Sequence, residues 1–270
     1  MIKNLKAVFD ITLNSGKLIH CITNPISINQ CANGILALGC KPIMVEHPKE
    51  AAEVTATAAA LLLNLGNITD ARRKSIQISA KTAYKNSIPT VLDAVGIACS
   101  EFRRKLALKI IRKYTPAVIK GNYSEIYALY CKTYKSRGVD ADGLLNEETV
   151  TKAAVEMAEK FSCTVLASGK TDVVTDGRRC VYIKNGTEML SRITGTGCLL
   201  GAVTAVMLIG KEPFYGSAAA CGIMGISGEI SEHSLGNGSF QVGLMDAISN
   251  IDFEMFSERL NMEEIKWTDR

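Results

Sequence analysis

The sequence predicts an α/β fold built on a mainly parallel central sheet, with helices on both faces. Two observations predict it. Between residues 17 and 170, short apolar runs rich in β-branched and Leu residues alternate with longer amphipathic ones, the pattern of right-handed βαβ units. Beyond Gly195 the strand signal stops, and apolar stretches rich in Ala, Gly and Met give a helical C-terminal part.

Taken in order, the expected strands are Lys17–Ile22, Lys41–Val45, Leu61–Leu65, Thr90–Asp93, Ala117–Lys120, Thr164–Ala167 and Asp172–Thr175. Helices are expected between them, at Ser27–Leu38, Glu50–Ala60, Thr69–Lys85, Glu101–Tyr114, Ser124–Lys132 and Glu147–Glu159. Asp176-Gly177 separates Val173–Thr175 from Val181–Ile183, and Asn185-Gly186 follows at once. Such turn dipeptides predict a small antiparallel meander. Gly197–Leu208, Tyr215–His233 and Val242–Leu260 read as helices, and Glu263–Arg270 as a charged tail. Tyr130–Asp142, with Lys132, Lys135, Arg137 and Gly138, reads as a solvated loop. No Pro/Ser-rich linker or internal repeat divides the chain, so residues 1–270 are expected to form a single domain.

The bulk properties narrow the function. A net charge of +4, with 31 basic residues dispersed along the chain, argues against a nucleic-acid partner. Nine cysteines without a C-x-x-C pair argue against structural zinc and fit reduced thiols in a cytoplasmic protein. Met1–Phe9 alternates charged and apolar residues and lacks the apolar core of a secretion signal. Ala56–Leu65 and Leu199–Gly210 are too short for the ~20 residues of a membrane-spanning helix, so no membrane association is expected.

In an open parallel sheet, ligands bind beyond the carboxyl ends of the strands. The chemistry-bearing residues fall there. Gly195-Thr196-Gly197-Cys198 opens an apolar helix; its glycines let the backbone approach a ligand, and its free N–H groups and dipole favour an anion. Alone, the run fits a phosphate cradle and a tightly packed helix start equally well. Lys120-Gly121-Asn122 ends a strand, with Glu125 placed either for a capping box with Asn122 or for a cation. Asp93, directly after Val91-Leu92, is a carboxylate in a buried strand that needs partners. Lys120 and Asn122 are candidates for the nucleotide, Asp93 and Glu125 for magnesium. Thr23-Asn24-Pro25 and Met44 are compatible with a helix cap and with core packing respectively, and Ser168-Gly169 with a turn or a nucleotide contact. His20, His47 and His233 are too scattered for a triad.

Seven stretches, in order and spanning residues ~20 to ~245, resemble the hydroxyethylthiazole kinases of thiamine salvage within the ribokinase-like superfamily. They are Ile22-Thr23-Asn24-Pro25, Gly39-Cys40-Lys41-Pro42-Ile43-Met44, Asn64-Leu65-Gly66, Leu92-Asp93-Ala94-Val95-Gly96, Ile119-Lys120 through Ile126, Thr175-Asp176-Gly177 and Thr194-Gly195-Thr196-Gly197-Cys198-Leu199. The resemblance implies a ribokinase-like fold and transfer of phosphate from Mg²⁺·ATP to the primary hydroxyl of the thiazole. It implies thiazole contacts at Met44, Gly195 and Asn24, and ATP contacts at Lys120 and Ser168. Gly195, Thr196, Gly197 and Cys198 would form the catalytic centre. A homotrimer with active sites between subunits is also implied, so that Asn24 can serve a neighbour's site. Position 120 is usually Arg in that family, and Lys keeps its charge without the bidentate fork. Gly236-Asn237-Gly238-Ser239-Phe240 carries Asn where the family has Pro. Other kinases of the superfamily, acting on hydroxymethylpyrimidine or pyridoxal, usually have Asp where this chain has Cys198. The superfamily's ATP/ADP-dependent dehydratases of hydrated nicotinamide cofactors are the alternative from another reaction class.

Overall fold

A computed structural model describes residues 1–134 and 145–266. Its strands are β1 (Leu18–Ile22), β2 (Lys41–Ile43), β3 (Ala60–Asn64), β4 (Thr90–Asp93), β5 (Val118–Asn122), β6 (Thr164–Ser168), β7 (Asp172–Thr175), β8 (Cys180–Ile183) and β9 (Met262–Ile265). They form one sheet in the order β2-β1-β3-β4-β5-β6-β7-β8-β9. Pairings from β2 to β6 are parallel, and those among β6, β7, β8 and β9 antiparallel. The helices are α1 (Ile2–Thr12), α2 (Ile28–Ala37), α3 (Ala51–Thr57), α4 (Asp70–Lys85), α5 (Glu101–Tyr114), α6 (Tyr123–Tyr130), α7 (Glu147–Phe161), α8 (Thr196–Met207), α9 (Pro213–Ile230), α10 (Asn237–Asn250) and α11 (Phe253–Arg259).

Strand alternation divides the apolar residues between two cores. Leu62, Val91, Val118 and Leu166 face a layer containing α1, α2, α8, α9 and α10. Leu61, Leu63, Leu92, Ile119 and Val165 face α4, α5, α6 and α7. Burial on both faces is why these strands read as continuous apolar runs. The chain runs from β1 outward to β2, then returns past β1 to β3, with α2 on one face and α4 on the other. The topological switch point therefore lies between β1 and β3, where open α/β sheets bind ligands beyond the strand carboxyl ends.

The innermost helix, α8, is buried from Cys198 to Met207. It passes close over β4 because position 201 is glycine, where an added Cβ would lie 3.2 Å from Asp93 Oδ2. Gly195 caps it with φ +89°, a backbone state that costs other residues about 1–2 kcal/mol.

Several elements differ from expectation. Ala60, expected to end a helix, instead starts β3, because α3 stops at Thr57. The expected helix Val242–Leu260 breaks at Ile251-Asp252, where Asp252 caps α11 by accepting from Met255 N at 2.8 Å. The expected charged tail contributes β9, which pairs with β8 from Ile183↔Met262 to Cys180↔Ile265. Asn185 fastens that return: its Nδ2 donates to Arg259 O at 2.9 Å, and its Oδ1 accepts from Asn261 N at 2.7 Å. Residues 2–12, given no element beforehand, form α1, with Leu5, Val8, Phe9 and Thr12 buried. Most of the expected loop Tyr130–Asp142, with Lys135, Arg137 and Gly138, lies outside the described residues. Among the described residues, no helix is long and apolar enough to cross a membrane.

Candidate active site

The carboxyl ends of β1, β3, β4 and β5 and the first turn of α8 converge on one hydrogen-bonded cluster. After β1, Asn24 Oδ1 accepts from Ile26 N at 3.1 Å and Ser27 N at 3.2 Å. This fixes which end of the carboxamide is oxygen and turns Nδ2 toward Cys198 Sγ (3.1 Å) and Asn64 Oδ1 (3.3 Å). Asn64, the last residue of β3, is set the same way, its Oδ1 accepting from Gly66 N at 2.8 Å. Its Nδ2 then donates to Asp93 Oδ2 at 2.8 Å and lies 3.3 Å from Cys198 Sγ. Cys198 thus faces two amide donors from two strand ends.

Asp93 ends β4 and is fully buried. Its Oδ1 receives Lys120 Nζ at 3.0 Å. Lys120 also donates to Gly197 O at 2.7 Å, tying β5 to the first turn of α8. Burial pushes the Asp93 carboxyl above its ordinary value despite the ammonium beside it. Burial would by itself lower Lys120, yet Asp93, Cys198 and Glu125 hold it above its ordinary value. The proton of the pair therefore belongs on Lys120, which has two good acceptors. Helix geometry leaves the amides of Thr196, Gly197 and Cys198 without intrahelical acceptors, beside that fixed positive charge.

The expected capping box is present. Asn122 Oδ1 accepts from Glu125 N at 2.9 Å, and Glu125 Oε2 accepts from Asn122 N at 2.8 Å. Glu125 does more than cap, because its Oε1 accepts from Gly96 N at 2.7 Å and joins the β4 and β5 loops. Burial, then the charge of Asp93, pushes its carboxyl up to about 7, against the pull of Lys120 and the two N–H donors. Among the described residues no three His, Cys, Asp or Glu side chains form a cation cage. Asp93 and Glu125 offer oxygen donors alone, with lone pairs beyond those already used. That donor set fits a magnesium ion completed by water and phosphate oxygens.

Met44 lies just past β2, half-buried against the α8-side core, at the same edge of the sheet. Ser168 ends β6 opposite Asn122, its Oγ 3.4 Å from Gly121 O. Thr196 turns its hydroxyl back onto Leu190 O (2.8 Å) and Ile193 O (3.2 Å), so at this position the run presents its backbone rather than its side chain. The structure therefore joins Asn24, Asp93, Lys120, Gly197 and Cys198 directly, with Glu125 and Asn122 linked through Gly96. Met44 and Ser168 flank the cluster. Sequence reasoning gave no role to Asn64, although it stood at a strand end inside a matching stretch. Nor did it single out Arg72, a charged residue within a helix whose hydropathy gives no sign of burial.

Comparison with known proteins defines first the class and then the family. The pyridoxal kinase from Staphylococcus aureus solved in complex with ADP shares the fold at TM-score 0.67 and 16% identity, covering 92% of this chain and 99% of that one. The class so defined is one of fold alone, the α/β fold shared with that kinase. The model of the hydroxyethylthiazole kinase family matches residues 12–254. Hydroxyethylthiazole kinase 2 of Clostridium botulinum (strain Langeland) is 45% identical over 251 residues, 91% of this chain and 94% of the relative. The solved hydroxyethylthiazole kinase of Pyrococcus horikoshii OT3 superposes with TM-score 0.89 at 32% identity, covering 98% of this chain and all of that one. The chain belongs to the hydroxyethylthiazole kinase family.

Proposed function

We propose that the protein transfers the γ-phosphoryl group of ATP to the hydroxyl of 4-methyl-5-(2-hydroxyethyl)thiazole in thiamine salvage. The observation that carries this reading is the seating of α8's first turn over β3, β4 and β5, with Lys120 bridging Asp93 and Gly197. Phosphoryl transfer asks a protein mainly for positioning and charge stabilisation. The amides from Gly195 to Cys198 receive charge on the group in flight. Lys120 and Ser168 face the nucleotide, with Asn122 holding the β5 turn. Met44, Gly195 and Asn24 receive the thiazole. The bond from the γ-phosphorus to the bridging oxygen breaks, ADP leaves, and the alcohol oxygen bonds to phosphorus as it loses its proton. Cys198, oriented by Asn24 and Asn64, positions that hydroxyl and assists proton removal. Magnesium held by Asp93 and Glu125 supplies neutralisation of the phosphate charge when bound.

In this reading the chain is one catalytic domain, cytoplasmic, and a homotrimer with sites near subunit boundaries. The exposed Ile26, Ile28 and Leu36 near Asn24 support an interface there. Asn24 also reaches Cys198 within its own chain, which supports a role for it in its own site as well. Sedimentation equilibrium checks the trimer, and a monomer at assay concentration would refute it. The activity is tested by supplying ATP and magnesium with hydroxyethylthiazole or hydroxymethylpyrimidine. Phosphorylated thiazole as the main product supports the assignment. Phosphorylated pyrimidine alone would move the chain to a different kinase substrate.

A further inference from the structure

Arg72 is a charged side chain at the third position of α4, and it is only 1% exposed. A buried guanidinium is tolerated where its donors meet acceptors. Here the two Nη nitrogens meet backbone carbonyls at and after the end of β3, while Nε has an ion-pair contact without a hydrogen bond. Nη1 donates to Gly66 O and Asn67 O, both at 2.7 Å, and Nη2 lies 3.4 Å from Asn64 O. These carbonyls belong to the end of β3 and the loop leaving it, and Asn64, the last residue of β3, touches both Cys198 and Asp93. Asn67 sits in that loop at φ +46°, a conformation that favours a fixed turn only when something holds it. On its other side, Arg72 Nε lies 3.2 Å from Glu46 Oε2, an ion pair with the segment leaving β2.

In that second segment the carbonyls of Val45 and Glu46 are each held. His20 Nε2 bonds Val45 O at 2.9 Å, and Ser75 Oγ, one turn along α4 from Arg72, donates to Glu46 O at 2.6 Å. Met44 immediately precedes it. α4 therefore touches Glu46, through Arg72 Nε and Ser75 Oγ, and residues 64–67, through a planar fork that serves several carbonyls at once. Lysine has the charge but no such fork.

We infer that Arg72 is a positioning residue for the alcohol substrate, clamping the Met44–Glu46 segment to the Asn64–Asn67 loop so that the thiazole pocket is preformed. The inference rests on the proposed assignment of Met44 to the thiazole side. ATP, expected against Lys120 and Ser168 on β5 and β6, lies on the far side of β4 from the clamp. Loss of Arg72 should therefore separate the two substrates kinetically.

The test compares wild type with Arg72→Met, Arg72→Lys and Glu46→Gln. KM is measured for hydroxyethylthiazole at saturating MgATP, and for ATP at saturating thiazole. Arg72→Met is expected to raise the thiazole KM about tenfold or more, the scale of one lost charge-assisted hydrogen bond. Arg72→Lys and Glu46→Gln should give smaller rises, and the ATP KM should stay within about twofold in all three. An unchanged thiazole KM in the folded variants, or parallel rises in both KM values, would overturn the clamp. Should Arg72→Met fail to fold, Arg72→Lys and Glu46→Gln decide the matter by the same split. Amide hydrogen exchange on the same variants gives a readout independent of substrate. Exchange rising together in residues 44–46 and 64–67 supports the clamp, and a rise in neither or only one refutes it. A wild type that does not phosphorylate the thiazole refutes the functional reading instead, leaving the exchange result to judge Arg72.

Discussion

Replacing Lys120 with Met removes an ammonium and leaves an unbranched stem of similar length in its place. The structure sets the cost. Asp93 is fully buried and holds two partners, Lys120 on Oδ1 and Asn64 on Oδ2. Removing the first leaves a buried carboxylate oxygen unpaired and strips Gly197 O of a 2.7 Å donor. Breaking a buried ion pair from one side costs about 3–5 kcal/mol, chiefly the desolvation of the partner left behind. The penalty should ease at acid pH. Burial already raises the Asp93 carboxyl above its ordinary value, so its protonated form favours folding at low pH, and that advantage is lost as the pH rises through the folded-state value. Adding Asp93→Asn removes the orphaned charge and should restore most of the loss, though not activity. The assay is urea unfolding followed by far-ultraviolet circular dichroism near neutral pH, at one fixed protein concentration so that any self-association contributes equally. A loss below about 1 kcal/mol for Lys120→Met, or no recovery in the double variant, would refute the claim that Lys120 neutralises Asp93.

Other expected outcomes follow from the same cluster. Cys198→Ala should keep measurable turnover, and Cys198→Asp should keep or raise it; a folded but inactive Cys198→Asp would count against the role given to that position. Glu125, pushed up to about 7, should favour folding most below the ordinary carboxylate range and lose that contribution as the pH rises through about 7. Glu125→Gln should flatten this decline in urea midpoints measured without magnesium, and an unchanged slope would show that Glu125 is not its source. Gly195→Ala meets a positive φ and the side-chain oxygen of Gln30, so a loss of about 1–3 kcal/mol is expected, with turnover reduced at least about tenfold. Full activity in that variant would remove the tight α8 cap from the mechanism. Asn64→Leu leaves Gly66 N and Asp93 Oδ2 each short of a partner and should cost about 2–4 kcal/mol. A change within about 0.5 kcal/mol would show that Asn64 is a bystander.

The parallel sheet was legible because buried strands in a βαβ chain carry long apolar runs, and Leu61–Leu65 and Val118–Ile119 are of that kind. The ligand edge was legible for a related reason. Polar residues directly after such runs, as at Asp93 and Lys120, have no packing purpose of their own. Asn64 ended a strand in the same way, but its part depends on Asn24, Asp93 and Cys198 arriving from three other segments, which only the fold brings together. Met262–Ile265 looked like tail because Glu263 and Glu264 dominate its composition. Its strand state comes from pairing with the β8 edge, reinforced by Lys184 against Glu263. Arg72 was hidden for the opposite reason. A charged residue in an amphipathic helix is ordinarily a solvated one, and its burial is decided by how the preceding β3 loop folds back to offer it carbonyls.

In the proposed reaction this site moves the γ-phosphoryl group of ATP onto the thiazole's hydroxyl. Turnover of ATP labelled with heavy oxygen in its γ-phosphate, followed by mass spectrometry of the alcohol, tests that transfer atom by atom. The account expects a thiazole monophosphate carrying the labelled phosphoryl oxygens, formed in step with unlabelled ADP. Labelled inorganic phosphate with the alcohol left unmodified would contradict it.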